Sequence, residues 1–257
     1  MFILNKFWAP KNMYECCGMF TRGHMILLLI SIILLSILLF IFRNITIERV
    51  NIATKIMAII ITVLEGVKIY FNFYWGYKGI NSWLPISYCS IFIYALWLSG
   101  YGKGNWKKSG QSFIAGCSVV AGGAYLLFPS TSLTVYPIWH YLCIYSMFFH
   151  TMMIYFGIIY IKKDIVKLDI NNFNNYLRVF LIFGIIALTL NAIFNTNFML
   201  LNNPFKIPIS IIHKLYNSLP LGYTSLVFVI YLYIPYFITS FFVKAITKNK
   251  SSQKLKS

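Results

Sequence analysis

From Met25 to Phe42 the chain carries no charged residue, and only Ser31 and Ser36 interrupt an otherwise apolar run. A backbone removed from water must satisfy every N–H and C=O internally, so a run of this length dictates a membrane-crossing helix. It is too long for the apolar region of a signal peptide, and no small-x-small cleavage site precedes Arg43; the segment is expected to stay in the mature protein. Further runs of about 17–25 residues, the length a bilayer requires, bring the set to 25–42, 53–74, 83–99, 112–128, 138–161, 178–198 and 222–243. Short polar segments with turn residues separate them, among them Gly100 to Gly110, Pro129 to Pro137 and Asn202 to Leu221. No internal repeat or low-complexity linker intervenes. The expectation is an all-α fold, a multi-pass bundle of seven transmembrane helices forming one domain over 25–243. A segment of 1–24 precedes it and a basic tail of 244–257 follows.

Composition excludes the competing classes. With 59% hydrophobic and 11% charged residues and a mean hydropathy of +0.73, this is no ordinary soluble domain. The abundance of Ile, Leu, Phe and Tyr excludes disorder, and five cysteines, few and odd in number, exclude a disulfide-stapled secreted module.

The net charge of +17 is open to three explanations: nucleic acid, anionic lipid, or cytoplasmic flanks of the spans. Seven spans put the termini on opposite sides, so alternate loops can be tallied. One side collects fifteen of the 22 Lys and Arg, at Arg43, Arg49, Lys55, Lys103, Lys107, Lys108, Lys162, Lys163, Lys167, Arg178, Lys244, Lys248, Lys250, Lys254 and Lys256. The other side has Lys6, Lys11, Arg22, Lys78, Lys206 and Lys214, while Lys68 lies inside a span. This split predicts an outside N-terminus and an inside C-terminus in the plasma membrane. The tail reads as an anchor that also attracts anionic lipid, so membrane lipids are the expected partners. Nucleic acid is excluded, because no basic and aromatic patch lies on a foldable domain outside the membrane.

Ionisable residues inside spans are costly and mark candidate sites. Glu65 and Lys68 share one helix face at spacing three, with Asn72 four further on. Cys89 and Ser87 lie in the third run, His150 in the fifth, and Asn191, Asn195 and Asn197 in the second half of the sixth. Counting from the basic ends at about 1.5 Å per residue sets Glu65, Lys68, Cys89, His150 and Asn191 about 15–20 Å deep, in one layer. Counting from the apolar ends leaves Cys89 shallow and His150 deep. Each residue also has a structural reading: an ion pair for Glu65 and Lys68, an interhelical hydrogen-bonder for Asn191, a core histidine for His150, a packing residue for Cys89. Small residues around Cys117, from Ala115 and Gly116 to Gly122 and Gly123, read as a close helix-packing face. His140 and Cys143 share a face, but two ligands do not make a zinc site. No phosphate loop or acidic metal cluster is present, and no metal or cofactor is expected.

Three stretches resemble the bacterial YwaF-like integral membrane proteins, a seven-span family, over roughly residues 50–245. Leu84, Pro85, Ile86, Ser87, Tyr88 and Cys89 align with its Leu-Pro-x-His-x-Cys. Phe148, Phe149, His150 and Thr151 align with an apolar stretch ending in Ser-His-Gly, and Asn191 with Asn195, Thr196, Asn197, Phe198 and Met199 align with Asn followed by Gly-Thr-Asn-Tyr-Met. Ser87 stands in place of the family histidine and Thr151 in place of its glycine. Distant eukaryotic relatives resemble lipid acyltransferases that use a Cys and a His; their Cys directly follows the Pro, where this chain has Ile86. The resemblance implies a lipid acyltransferase or hydrolase with His150 as base, Cys89 or Ser87 as nucleophile and Asn191 or Asn195 as oxyanion donor. The alternative is a non-enzymatic transporter or small-molecule binding protein, motivated by Glu65 and Lys68 within a span and by the missing histidine at Ser87.

Overall fold

The computed structural model describes residues 2–204 and 209–254; Lys206, Lys256 and the side chains of Lys248, Lys250 and Lys254 fall outside that description. The described chain is all-α, without strands. Its helices are α1 (Phe2–Phe7), α2 (Arg22–Ile41), α3 (Ile47–Tyr74), α4 (Ile80–Trp83), α5 (Ile91–Tyr101), α6 (Gly104–Leu127), α7 (Tyr141–Lys162), α8 (Ile170–Phe194), α9 (Ser210–Ser218) and α10 (Pro220–Lys254).

Six of these, α2, α3, α6, α7, α8 and α10, are long and apolar enough to cross a bilayer. Local chemistry sets their starts. Thr21, Thr46 and Asp169 stand in extended conformation before α2, α3 and α8 and accept from the backbone N–H of His24, Arg49 and Asn172, satisfying donors that a first helical turn leaves open. The expected helix over 83–99 is corrected: α5 has only 11 residues and begins at Ile91. Pro85 holds Leu84 extended, at φ −91° and ψ 113°, because the ring disfavours the helical region for the residue before it. The chain then turns through Ser87–Ser90 before α5 starts. Non-helical backbone of this kind is tolerated at membrane depth only when buried in protein; Ile86, Tyr88 and Ser90 are buried here.

The sixth run also shifts. α8 spans Ile170–Phe194, and Asn195 ends it in the left-handed conformation (φ 49°), so Asn195 and Asn197 lie in a loop and not in a helix. In the basic tail expected over 244–257, α10 continues through Lys244 to Lys254.

The bundle is organised around α6 and α7, the two long helices most enclosed by protein. α6 packs on α5, α7, α8 and α10, while α7 also packs on α2 and α3. Glycines permit the approach: a Cβ on Gly116 would run into the Tyr236 ring, and one on Gly122 would meet the His150 carbonyl oxygen at 2.8 Å. The small-residue face expected around Cys117 is thus a packing face, although Gly123 meets nothing within 4 Å. α2, by contrast, leaves Leu29, Ile30, Ile33, Ile37 and Phe40 exposed, as lipid-facing residues would be.

Contacts between helix ends sort the chain into two layers. At one end the His24 ring bonds the Leu126 carbonyl, Asn72 bonds the Ser82 carbonyl, and the Trp75 indole donates to the Trp8 carbonyl. At the other end Tyr160 joins Thr54 and Ser99, Lys163 donates to the Arg43 carbonyl, and Arg178 donates to Ser109. Between Ser82 and Ser99, therefore, α4, the unwound segment and α5 carry the chain from one layer to the other.

Candidate functional site

Glu65 on α3, Tyr125 on α6 and Tyr145, Ser146 and His150 on α7 form a polar cluster among apolar helices. Glu65 Oε2 accepts a hydrogen bond from the Tyr145 hydroxyl at 2.7 Å. The other carboxylate oxygen pairs with the Lys68 ammonium one turn along the helix. Glu65 is buried, whereas the Lys68 side chain keeps 29% of its surface exposed. The stem thus reaches outward while the charge neutralises an acid that would be costly alone.

His150 is 5% exposed and stacks on the Tyr125 ring, with centroids 3.6 Å apart and planes within 5°. Its Nδ1 lies 2.7 Å from the Ser146 carbonyl oxygen. A carbonyl only accepts, so Nδ1 carries the proton and the neutral ring presents a lone pair at Nε2. That nitrogen is buried and has no hydrogen-bond partner. Its companion ring is fully engaged: the Tyr125 hydroxyl accepts from Ser146 Oγ at 2.6 Å and lies 2.9 and 3.0 Å from Ser132 and Thr131. Lys68 is near enough to act electrostatically on the imidazole. Helix α7 thereby delivers a fixed, unprotonated nitrogen to the interior.

The other candidates lie elsewhere. Tyr88, next to Cys89, stacks on Tyr231 of α10 at 4.5 Å and meets the Tyr176 hydroxyl of α8 at 3.0 Å. Cys89 itself is near Cys117 and Tyr231, and no hydrogen bond joins its sulfur to His150. The two are linked by packing alone: Phe92, one turn past Cys89, meets Phe149 at 5.8 Å, and Phe149 lies edge-on to His150. Ser87 Oγ accepts from the Ser90 N–H at 3.1 Å and lies 2.7 Å from Ser90 Oγ, closing the turn that starts α5.

The asparagines build a loop. Asn191 Oδ1 accepts from Phe198 N and Thr196 Oγ1, and its amide donates to the Phe198 carbonyl. Asn197 Oδ1 accepts from the backbone N–H of Asn202 and Asn203, and its amide donates to the Asn203 carbonyl. Neither reaches α7. The single layer expected from depth counting is therefore three separate groups: His150 with Glu65 and Lys68, Cys89 at the unwound segment, and the asparagine loop beyond α8. Sequence reasoning passes over Tyr125 and Tyr145, since tyrosines are ordinary in such helices; only their spacing from Ser146, His150 and Glu65 across the bundle gives them away. Among the described residues, no three His, Cys, Asp or Glu side chains gather as a metal-binding group.

No curated protein and no solved structure matches the chain. The model of the TMEM164 family does, over residues 19–238. That span takes in five of the long helices whole and most of α10, together with the unwound segment, His150 and the asparagine loop; the chain belongs to the TMEM164 family of transmembrane proteins.

Proposed function

We propose that this chain is a multi-pass plasma-membrane protein that transfers or hydrolyses an acyl chain of a membrane lipid, with His150 as general base. One observation carries the reading: a buried imidazole whose Nδ1 is committed to a carbonyl and whose Nε2 lone pair is unclaimed. A buried polar atom left unpaired costs about 1–3 kcal/mol, a cost that chemistry at that atom explains. In this reading Cys89 is the nucleophile. Its thiol proton passes to Nε2, the sulfur bonds the acyl carbonyl carbon, and the lipid alkoxide leaves with that proton as an alcohol. Water or a second alcohol then attacks the thioester and restores the thiol. Closing Cys89 onto His150 requires a shift of the unwound segment. Hydrogen bonds loose in a free enzyme tighten in its substrate complex. Asn191 contributes loop closure through Phe198 and Thr196. Ser87 contributes the turn.

The orientation that fits is seven crossings, with α4 to α5 as the third. The layer holding Lys55, Lys103, Lys163 and Arg178 then faces the cytoplasm and the N-terminus lies outside. The resemblance to YwaF-like proteins supports the same count.

The test is lipid turnover in proteoliposomes. His150→Ala and Cys89→Ala should each lower the rate by at least about 100-fold, within the range of base or nucleophile loss, while Glu65→Gln is tolerated. A second reading, a transporter or small-molecule binding protein, is favoured by the buried Glu65 and its pairing with the partly exposed Lys68. It predicts the reverse ranking: uptake abolished by Glu65→Gln and unaffected by Cys89→Ala.

A further inference from the structure

Where the loop after α8 meets α4 and α9, the bundle holds a cavity of about 460 Å³ lined by Asn81, Asn195, Thr196, Asn197, Asn202, Asn203 and Tyr216. This is within the size range of small-molecule sites, about 300–1,000 Å³, but its chemistry differs from the usual apolar pocket. Amides form most of its wall, and among the described residues that line it no Lys, Arg, Asp, Glu or His is present. The loop is rigid by its own bonds: Asn197 and Asn202 hold it from inside, and Asn191 fastens it to α8. The side chains of Asn81, Asn195 and Tyr216 make no hydrogen bond to another described residue. Three polar side chains from three different elements therefore line one cavity without a partner among the described residues.

An amide offers donors and an acceptor side by side, and a phenol offers one of each. Their natural complement is a hydroxyl, which both donates and accepts. A phosphate or carboxylate would find no cation on the described wall, and an amine no anion. The Tyr216 ring adds an apolar face against which the C–H surface of a sugar can lie.

The setting indicates how such a ligand arrives. α9 places Ile211, Ile212 and Leu215 toward one side and Ser210, His213, Lys214 and Asn217 toward the other, and none of its residues is buried. Ile211 is 70% exposed. Apolar side chains in that state on an amphipathic helix between two spans belong at the membrane interface. Tyr216 of this helix is one wall of the cavity, which puts the opening at the level of lipid headgroups.

We propose that this cavity is a binding site for an uncharged polyhydroxyl group, a sugar or glycerol unit carried by a neutral membrane lipid. The site stands independently of acyl transfer at His150. The test uses the full chain in detergent micelles containing equal amounts of monoglucosyl diacylglycerol, phosphatidylglycerol and phosphatidylcholine, with retained lipid read by native mass spectrometry. The glucolipid should be retained at least tenfold over either phospholipid. Asn195→Gly, which keeps the left-handed backbone, and the pair Asn81→Ala with Tyr216→Phe should each remove that preference; these changes spare every hydrogen bond of the loop. His150→Ala should leave it intact, so failure here is separate from failure of the catalytic reading. Displacement of the lipid by millimolar methyl glucoside assigns the site to the sugar alone; persistence assigns it to the lipid-borne form, and both uphold the polyhydroxyl ligand. Equal retention of phosphatidylglycerol, or unchanged retention by the variants, overturns the proposal.

Discussion

His150 owes its position to a residue that has no side chain. Helix α6 reaches the α7 backbone at Gly122, where an added Cβ would lie 2.8 Å from the His150 carbonyl oxygen. Backbone cannot swing away as a flexible side chain can, so Gly122→Ala must part the two helices. Overpacking of this kind costs about 1–3 kcal/mol, and thermal unfolding of purified protein should show a lowered midpoint with disturbed Tyr125 stacking. Gly123→Ala is the matched control, since nothing lies within 4 Å of it. Helix propensity alone then acts, favouring Ala by up to about 1 kcal/mol, and the midpoint should hold or rise. At this scale the sequence reveals types but not partners. An ionisable residue in an apolar run stands out, which marks His150, Glu65 and Lys68. The tautomer of His150 depends on a carbonyl one turn away and on nothing across the bundle reaching Nε2, neither of which hydropathy records. Asn191 stands out equally and turns out to have its bonding capacity directed at its own loop.

Among the elements, the apolar runs of α2, α3, α7 and α10 announce themselves because a helix at membrane depth is apolar all round, whether it faces lipid or packed protein. The third run reads identically and is not a continuous helix. Hydropathy reports the partition of side chains and is blind to backbone conformation; the one local sign is Pro85, sitting near the run's start where a span's first turn would also accept it. The turn that follows depends on Ser87, whose Oγ accepts from the Ser90 N–H. Ser87→Ala leaves that donor unpaired at the start of α5 and should cost about 1 kcal/mol, the scale of a lost cap. Ser87→Thr should restore it. Thermal midpoints of the two variants check the point, and a Ser87→Ala protein as stable as the parent would remove the turn from the account. α8 poses a similar problem: apolar residues resume at Phe198, Met199 and Leu200, and a pattern cannot show that Asn195 adopts φ 49° and breaks the helix first.

The whole molecule is closed at one end by the segment before α2, a strap that an N-terminal stretch too short in apolar runs to span a bilayer gives no reason to expect. Its backbone bonds run to the loop before α7: Asn12 N to the Val135 carbonyl, Cys17 N to Tyr136 and Gly18 N to Leu133. Lys11 N donates to the Tyr77 hydroxyl, and Trp8 accepts from the Trp75 indole. Two buried histidines clasp it. His24 accepts from Phe20 N at Nδ1 and faces the Leu126 carbonyl with Nε2; His140 accepts from Leu142 N at Nδ1 and donates from Nε2 to the Ala9 carbonyl. The His140 ring is complete only when neutral, for a proton on Nδ1 would confront the Leu142 N–H. Burial pushes the His140 pKa down to about 4, against the favourable bond to Ala9. Tyr136 stacks on it at 4.1 Å and Phe71 lies edge-on, so no acid offsets the burial. Below a pH of about 6.5 the unfolded ring takes up a proton that the folded ring refuses. This part of the stability is therefore full above that pH, declines as pH falls, and is gone once pH passes the folded value. Hydrogen exchange at the amides of Asn12, Cys17 and Gly18, corrected for the intrinsic pH dependence, should accelerate between pH 6.5 and 4 ahead of amides within α6 and α7. His140→Asn, which keeps a cap for the Leu142 N–H but cannot take up a proton, should flatten that dependence. Acceleration that is unchanged in the variant would show that the clasp does not hold the strap.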